Sequence, residues 1–495
     1  MDNISLDKFQ KVIFEIQDIL FKKGTKDEAI SHLESNGITI SALLQTFITH
    51  ENEKIIELII TLLDLLKSFP SFTETLLTFI LTFLQSNINT LAKVETVQAK
   101  KYLLLTIKQN ISHFITQTNI LTELFKTYFT DENAGVYTQT LDLFIHIYKN
   151  KEHNLIFNKD KHCIENILTH FNAIANSTDS IYIIRKLEIV LVSLCFDNEL
   201  RDILSIELEV ICNDFMSYDT LTQLAFLETL ESNITKESVL MLCKPNKCFF
   251  NGMIMEMNEL SVRKLLYTFS KLYARDILNE DIKLIKNTLA LSFQHYDDHK
   301  ENIDFICPIL LNVFINPKIF DFLLEPSNNT QFDFMNNTID IIVDNYLLYD
   351  PHIKQNVLEV LANVFMYNEQ YSTKQDEFIM KLLSKFNHTK TNNDVLISEF
   401  VERIYNDFKK HDLPDYEYMF LLCVRGMISN PKMSKIVLSH FEFVLYLLNR
   451  RDKPKEVCEV KFNIINDIVT KSNLTQLMSQ EFENQFISYI QKGPY

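Results

Sequence analysis

A chain of 495 residues with 65 acidic against 48 basic side chains carries a formal net charge of −17, which repels a phosphate backbone and argues against nucleic acid as partner. Only 6 Gly and 10 Pro occur, far below ordinary usage, and most lie between apolar-periodic runs, so strand-rich folds and Gly-rich phosphate loops are not expected. Hydrophobic residues make up 46%, carried by Leu, Ile and 38 Phe with no Trp, and they supply a large core.

The first twenty residues lack a basic segment followed by an apolar one, and Asp2 and Asp7 argue against secretion or mitochondrial import. Helical spacing begins at once and continues to the end. Ile55, Leu58, Ile59, Leu62, Leu63 and Leu66 predict one apolar helix face, and Val357, Leu358, Leu361, Val364 and Phe365 another. The longest apolar runs, Ile55 to Leu66 and Leu76 to Leu84, are too short for the roughly 18 residues of a membrane span. Between the runs sit turn signals: Ser35-Asn36-Gly37, Asp131-Glu132-Asn133, Asn176-Ser177-Thr178, Asn316-Pro317, Asp350-Pro351, Leu413-Pro414 and Asn430-Pro431. Cysteines at 163, 195, 212, 243, 248, 307, 423 and 458 fall within or beside these runs without the spacing of a disulfide framework, which predicts free thiols and a cytoplasmic or nuclear protein.

Many helices end in Asn: Asn110, Asn150, Asn198, Asn233, Asn316, Asn368, Asn430 and Asn473. Intervals of 40, 48, 35 and 43 residues between neighbours in this series approach an armadillo or HEAT unit. The expected fold is therefore all-α, an armadillo/HEAT-like α-solenoid of roughly ten to twelve repeats over residues 1–495, with 450–495 as a C-terminal capping repeat. Irregularity concentrates in Cys243-Lys244-Pro245-Asn246-Lys247-Cys248. Polar stripes predict a concave partner-binding surface: Glu57, Thr61 and Asp64 on one helix, then Asp142 with His146, Glu359 with Asn363, and Glu459 with Asn463. They lean acidic.

No phosphate loop, dinucleotide fingerprint, zincin motif or nucleophile elbow occurs, so catalysis and cofactors are not expected. His295 and His299 at i and i+4, and Cys243 with Cys248, have parts of a metal pattern but no second pair at the right distance. His162, Cys163 and His170 lack an oriented base, and Arg450 to Lys455 forms a short basic loop without stacking aromatics.

The last stretch carries a resemblance. Arg451-Asp452-Lys453-Pro454-Lys455-Glu456, then Lys461-Phe462, Asn473 to Met478, and Phe486-Ile487-Ser488-Tyr489-Ile490-Gln491-Lys492-Gly493-Pro494-Tyr495 resemble the C-terminal repeat of the 26S proteasome non-ATPase regulatory subunit 5 family. Ile353 to Leu361 with Tyr367 to Gln370, and Met427 to Pro431 leading to Phe443-Val444, are similar too. The resemblance covers about the last 150 residues by sequence and the rest by architecture. It implies a proteasome assembly chaperone: a repeat protein, monomeric when free, that binds the C-terminal domain of a base ATPase subunit and leaves before the 26S particle is complete. The alternative is an armadillo-type adaptor or scaffold for another protein or a basic peptide; basic-peptide adaptors of that type want inner-face Trp, which this chain lacks.

Overall fold

The computed structural model describes residues 6–69, 72–86, 94, 96–157, 162–174, 180–196, 201–233, 259–274, 289–290, 292–294, 303–315, 333–348, 351–366, 372–387, 392–411, 413–449, 453–470 and 479–494. Among them the elements are helical, without strands. The chain divides into two compact units, Met1–Phe249 and Phe250–Tyr495. His295, His299, Cys243, Cys248, Asn198, Asn316, Asn368, Asn473, Arg450, Arg451, the 176–178 turn, Tyr367 to Gln370 and Tyr495 lie outside the described residues.

Unit 1 comprises α1 (Leu6–Phe21), α2 (Lys26–Ser35), α3 (Ile40–Thr49), α4 (Glu53–Lys67), α5 (Phe72–Ser86), α6 (Val97–Gln109), α7 (Ile111–Phe114), α8 (Thr118–Phe129), α9 (Ala134–Lys149), α10 (Lys151–Phe157), α11 (His162–Ile174), α12 (Ser180–Phe196), α13 (Arg201–Asn213) and α14 (Thr220–Asn233). One row of helices runs through it, α1 against α4, α4 against α6, α6 against α9, α9 against α12 and α12 against α14. The others lie against this row: α2 on α1, α3 and α5 on α4, α8 and α10 on α9, and α13 on α12.

The turn residues close helix ends in the way their chemistry allows. After α2, Gly37 takes φ +77°, where a Cβ is unfavourable. Its N–H donates to the Glu34 carbonyl and that of Ile38 to Leu33, both at 2.9 Å, a Schellman closure. Thr25 opens α2 with a capping box to Glu28. Asn150 ends α9 and its side chain accepts from the Glu152 and His153 amides, so one residue stops one helix and starts the next. The core between α8, α9, α10 and α11 is aromatic: Phe125 lies 5.2 Å from Phe144, 5.3 Å from Phe129 and 5.7 Å from Phe157, mostly edge to face. Arg185 of α12 is buried; its Nη1 donates to the carbonyls of Phe129 at 3.1 Å and Asp131 at 2.6 Å, and the guanidinium lies over the Tyr137 ring.

Unit 2 comprises α15 (Glu259–Ala274), α16 (Ile303–Ile315), α17 (Phe334–Leu348), α18 (Pro351–Phe365), α19 (Ser372–Asn387), α20 (Asn393–Lys410), α21 (Pro414–Ser429), α22 (Pro431–Ser439), α23 (Phe441–Leu448), α24 (Lys455–Thr470) and α25 (Gln480–Gln491). Its row is α15, α16, α18, α21, α24 and α25, each packed on the next, while α17, α19, α20, α22 and α23 make a second succession. Pro308 lies inside α16, an exception to the punctuating role of proline.

The tightest seat in the row is glycine. A Cβ on Gly426 of α21 would stand 2.4 Å from the Ala362 carbonyl oxygen of α18, so these backbones meet only because residue 426 has no side chain. Asn430, 1% exposed, ends α21 and caps Lys432 of α22 at 3.0 Å, the arrangement seen at Asn150. Lys461 of α24 is fully buried, and its Nζ donates to the carbonyls of Tyr446 and Asn449, both at 3.1 Å, at the end of α23. Burial lowers its pKa to about 8 against the attraction of Glu417, which is itself bonded to Lys453 and to the Tyr446 hydroxyl.

Gly426→Ala is expected to destabilise unit 2 by about 2 to 3 kcal/mol, read as an earlier denaturant midpoint with unchanged far-UV dichroism in buffer. The Lys461 shift gives a second expectation. Between about 8 and the ordinary 10.5 the unfolded chain holds a proton that the folded chain has released, so this residue makes stability rise with pH across that window. Lys461→Met should remove that component of the slope, and identical pH slopes for the two proteins would refute it.

Candidate interaction surface

The predicted stripes lie on the row helices: α4 and α9 in unit 1, α18 and α24 in unit 2. Row helices bury their apolar faces, so a polar edge remains on each, and the geometry shows what those edges already hold.

In unit 1 the edge residues bridge neighbouring helices. Glu57, Thr61 and Asp64 are exposed along α4. Glu57 accepts from Gln98 Nε2 of α6 at 3.3 Å, and Asp64 accepts from the Tyr102 hydroxyl of α6 at 2.8 Å. Thr61 turns its hydroxyl back to the Glu57 carbonyl at 2.8 Å. Lys67 reaches Asp64 at 3.4 Å and sits 4.3 Å from the centre of the Tyr102 ring; burial depresses its pKa more than Asp64 raises it. Burial and the Asp64 carboxylate both push the Tyr102 hydroxyl well above its ordinary range, so it stays a donor. One step on, Lys108 of α6 pairs with Asp142 of α9, and His146 is exposed one turn beyond. The acidic edge of α4 and α9 is thus joined across α6 by three side chains that the stripe pattern did not contain: Gln98, Tyr102 and Lys108.

Unit 2 differs. Glu359 of α18 is half-buried, and among the described residues it has no ion pair; burial alone raises its carboxyl pKa. Asn363 donates to the Glu359 carbonyl at 3.0 Å, one turn back. Beside them on the row, Arg425 of α21 pairs through Nε with Asp467 of α24 at 2.8 Å, a bridge the stripe pattern also missed. On α24, Glu459 is exposed and 3.9 Å from Lys455, and Asn463 is exposed. The predicted residues do not converge on a single point. Those of α4 and α9 are joined through α6, whereas those of α18 and α24 lie on helices separated in the row by α21.

Cys163 is buried, His170 is half-buried with its pKa lowered by desolvation, and Lys126 adds to that lowering. Cys163, Cys212, Cys307, Cys423 and Cys458 are all buried, and burial raises the Cys212 and Cys423 thiols far above the range in which a thiolate forms. Among the described residues no three His, Cys, Asp or Glu side chains gather as metal ligands, and no helix is long and apolar enough to cross a membrane. No protein-family model matches the chain, and no curated protein matches it either.

Because the folded-state pKa of Glu359 is raised, the folded chain binds a proton that the unfolded chain has already lost just above the ordinary carboxylate pKa. Stability contributed here is lost as pH climbs through that interval. Glu359→Gln should raise the melting temperature slightly at pH 7, by no more than about 0.5 kcal/mol equivalent, and the difference should vanish at pH 4 and below. A destabilised variant at pH 7 would mean that Glu359 has a partner.

Proposed function

We propose that the chain is a protein-binding scaffold whose helices stack, within each unit, as an armadillo/HEAT-like solenoid, and that it works by holding a client protein rather than by catalysis. The observation that carries this reading is the row itself: α1, α4, α6, α9, α12 and α14 in one unit, and α15, α16, α18, α21, α24 and α25 in the other, each packed on its successor. Such a succession offers an extended edge on which residues far apart in sequence line up, the kind of surface that repeat proteins use for binding. The bridged polar edge supports it, because side chains pinned across helices lose little further freedom when a partner arrives.

The narrower proposal rests on the terminal resemblance alone. By it, the client is the C-terminal domain of an ATPase subunit of the proteasome base, and the chain is an assembly chaperone, acting in the cytoplasm or nucleus and released before the 26S particle is complete. No nucleotide or metal enters this reading.

Tagged protein drawn from cell extract, with captured proteins identified by mass spectrometry, separates the two levels. Base ATPase subunits without the 20S core support the chaperone; a reproducible client unrelated to the proteasome overturns it and leaves the scaffold. Charge reversal of Glu359 and Glu459 together should weaken capture at least tenfold or so if the unit 2 edge makes the contact. Unchanged capture by a variant with an intact melting transition would rule that edge out.

A further inference from the structure

We draw no further inference here: the strongest candidate, the apolar cavity of about 20 Å³ between α3, α4, α5 and α6 beside Tyr102, has room for little more than one water-sized body, and nothing in the structure shows what would occupy it.

Discussion

A protein made of many short helices has to close many helix ends, and that constraint shapes this chain more than any other. Each helix leaves N–H groups at its start and carbonyls at its finish without intrahelical partners, and when such ends are buried each missing bond costs on the order of 1 to 3 kcal/mol. Three long basic side chains answer it in the same way. Arg185 reaches back to the end of α8, Arg403 to the end of α19 and Lys461 to the end of α23. Gln375 does the same with a neutral amide, donating to the carbonyls of Val364 and Met366 after α18. Cations suit this position because the carbonyl end of a helix carries partial negative charge. It explains how an acidic chain comes to bury Arg185 and Lys461 with so little room.

With the ends closed, the rows are set by side-chain size. Gly426 against Ala362 brings two backbones together, while Phe125, Phe129, Phe144 and Phe157 fill a wider space in unit 1. The polar edge contributes differently. Pairs such as Lys108 with Asp142 and Arg425 with Asp467 are partly exposed, and such pairs add at most about 1 kcal/mol each. Their effect is one of alignment: they fix the register in which one helix edge lies beside the next, and hence which carboxylates remain to meet anything else. Among the described residues Glu359, Glu399 and Glu402 have no ion partner in unit 2, whereas Glu57, Asp64 and Asp142 in unit 1 are bonded across helices.

How much of this was legible in the sequence follows from the range of each interaction. Helical periodicity is local, and the α18 face of Val357, Leu358, Leu361, Val364 and Phe365 is buried as its spacing predicts. On α4 the spacing slips by one position at the start: Ile56 is buried, while Ile55 and Leu58 are only half-buried, because a run of consecutive Ile and Leu does not fix its own register. Asn as a boundary marker was readable because its capping chemistry is local too, and Asn150 and Asn430 each serve both flanking helices. The bridges were not readable. Gln98 and Glu57 are 41 residues apart and Lys108 and Asp142 are 34 apart, and nothing in either stretch announces the other. The bridge from Lys354 to Asp407 spans 53 residues and was hidden in the same way.

The buried thiols have a consequence of their own. Cys163 and Cys212 in one unit and Cys307, Cys423 and Cys458 in the other are shielded by the same packing that raises the Cys212 and Cys423 thiols out of reach of ionisation. While the helices stay packed, mild oxidants find nothing to react with at these positions. Once a helix lifts away, its sulfur becomes available, and repacking must then compete with a covalent change. Oxidation at these five positions is therefore gated by breathing of the helices that cover them rather than by the chemistry of the cysteines themselves.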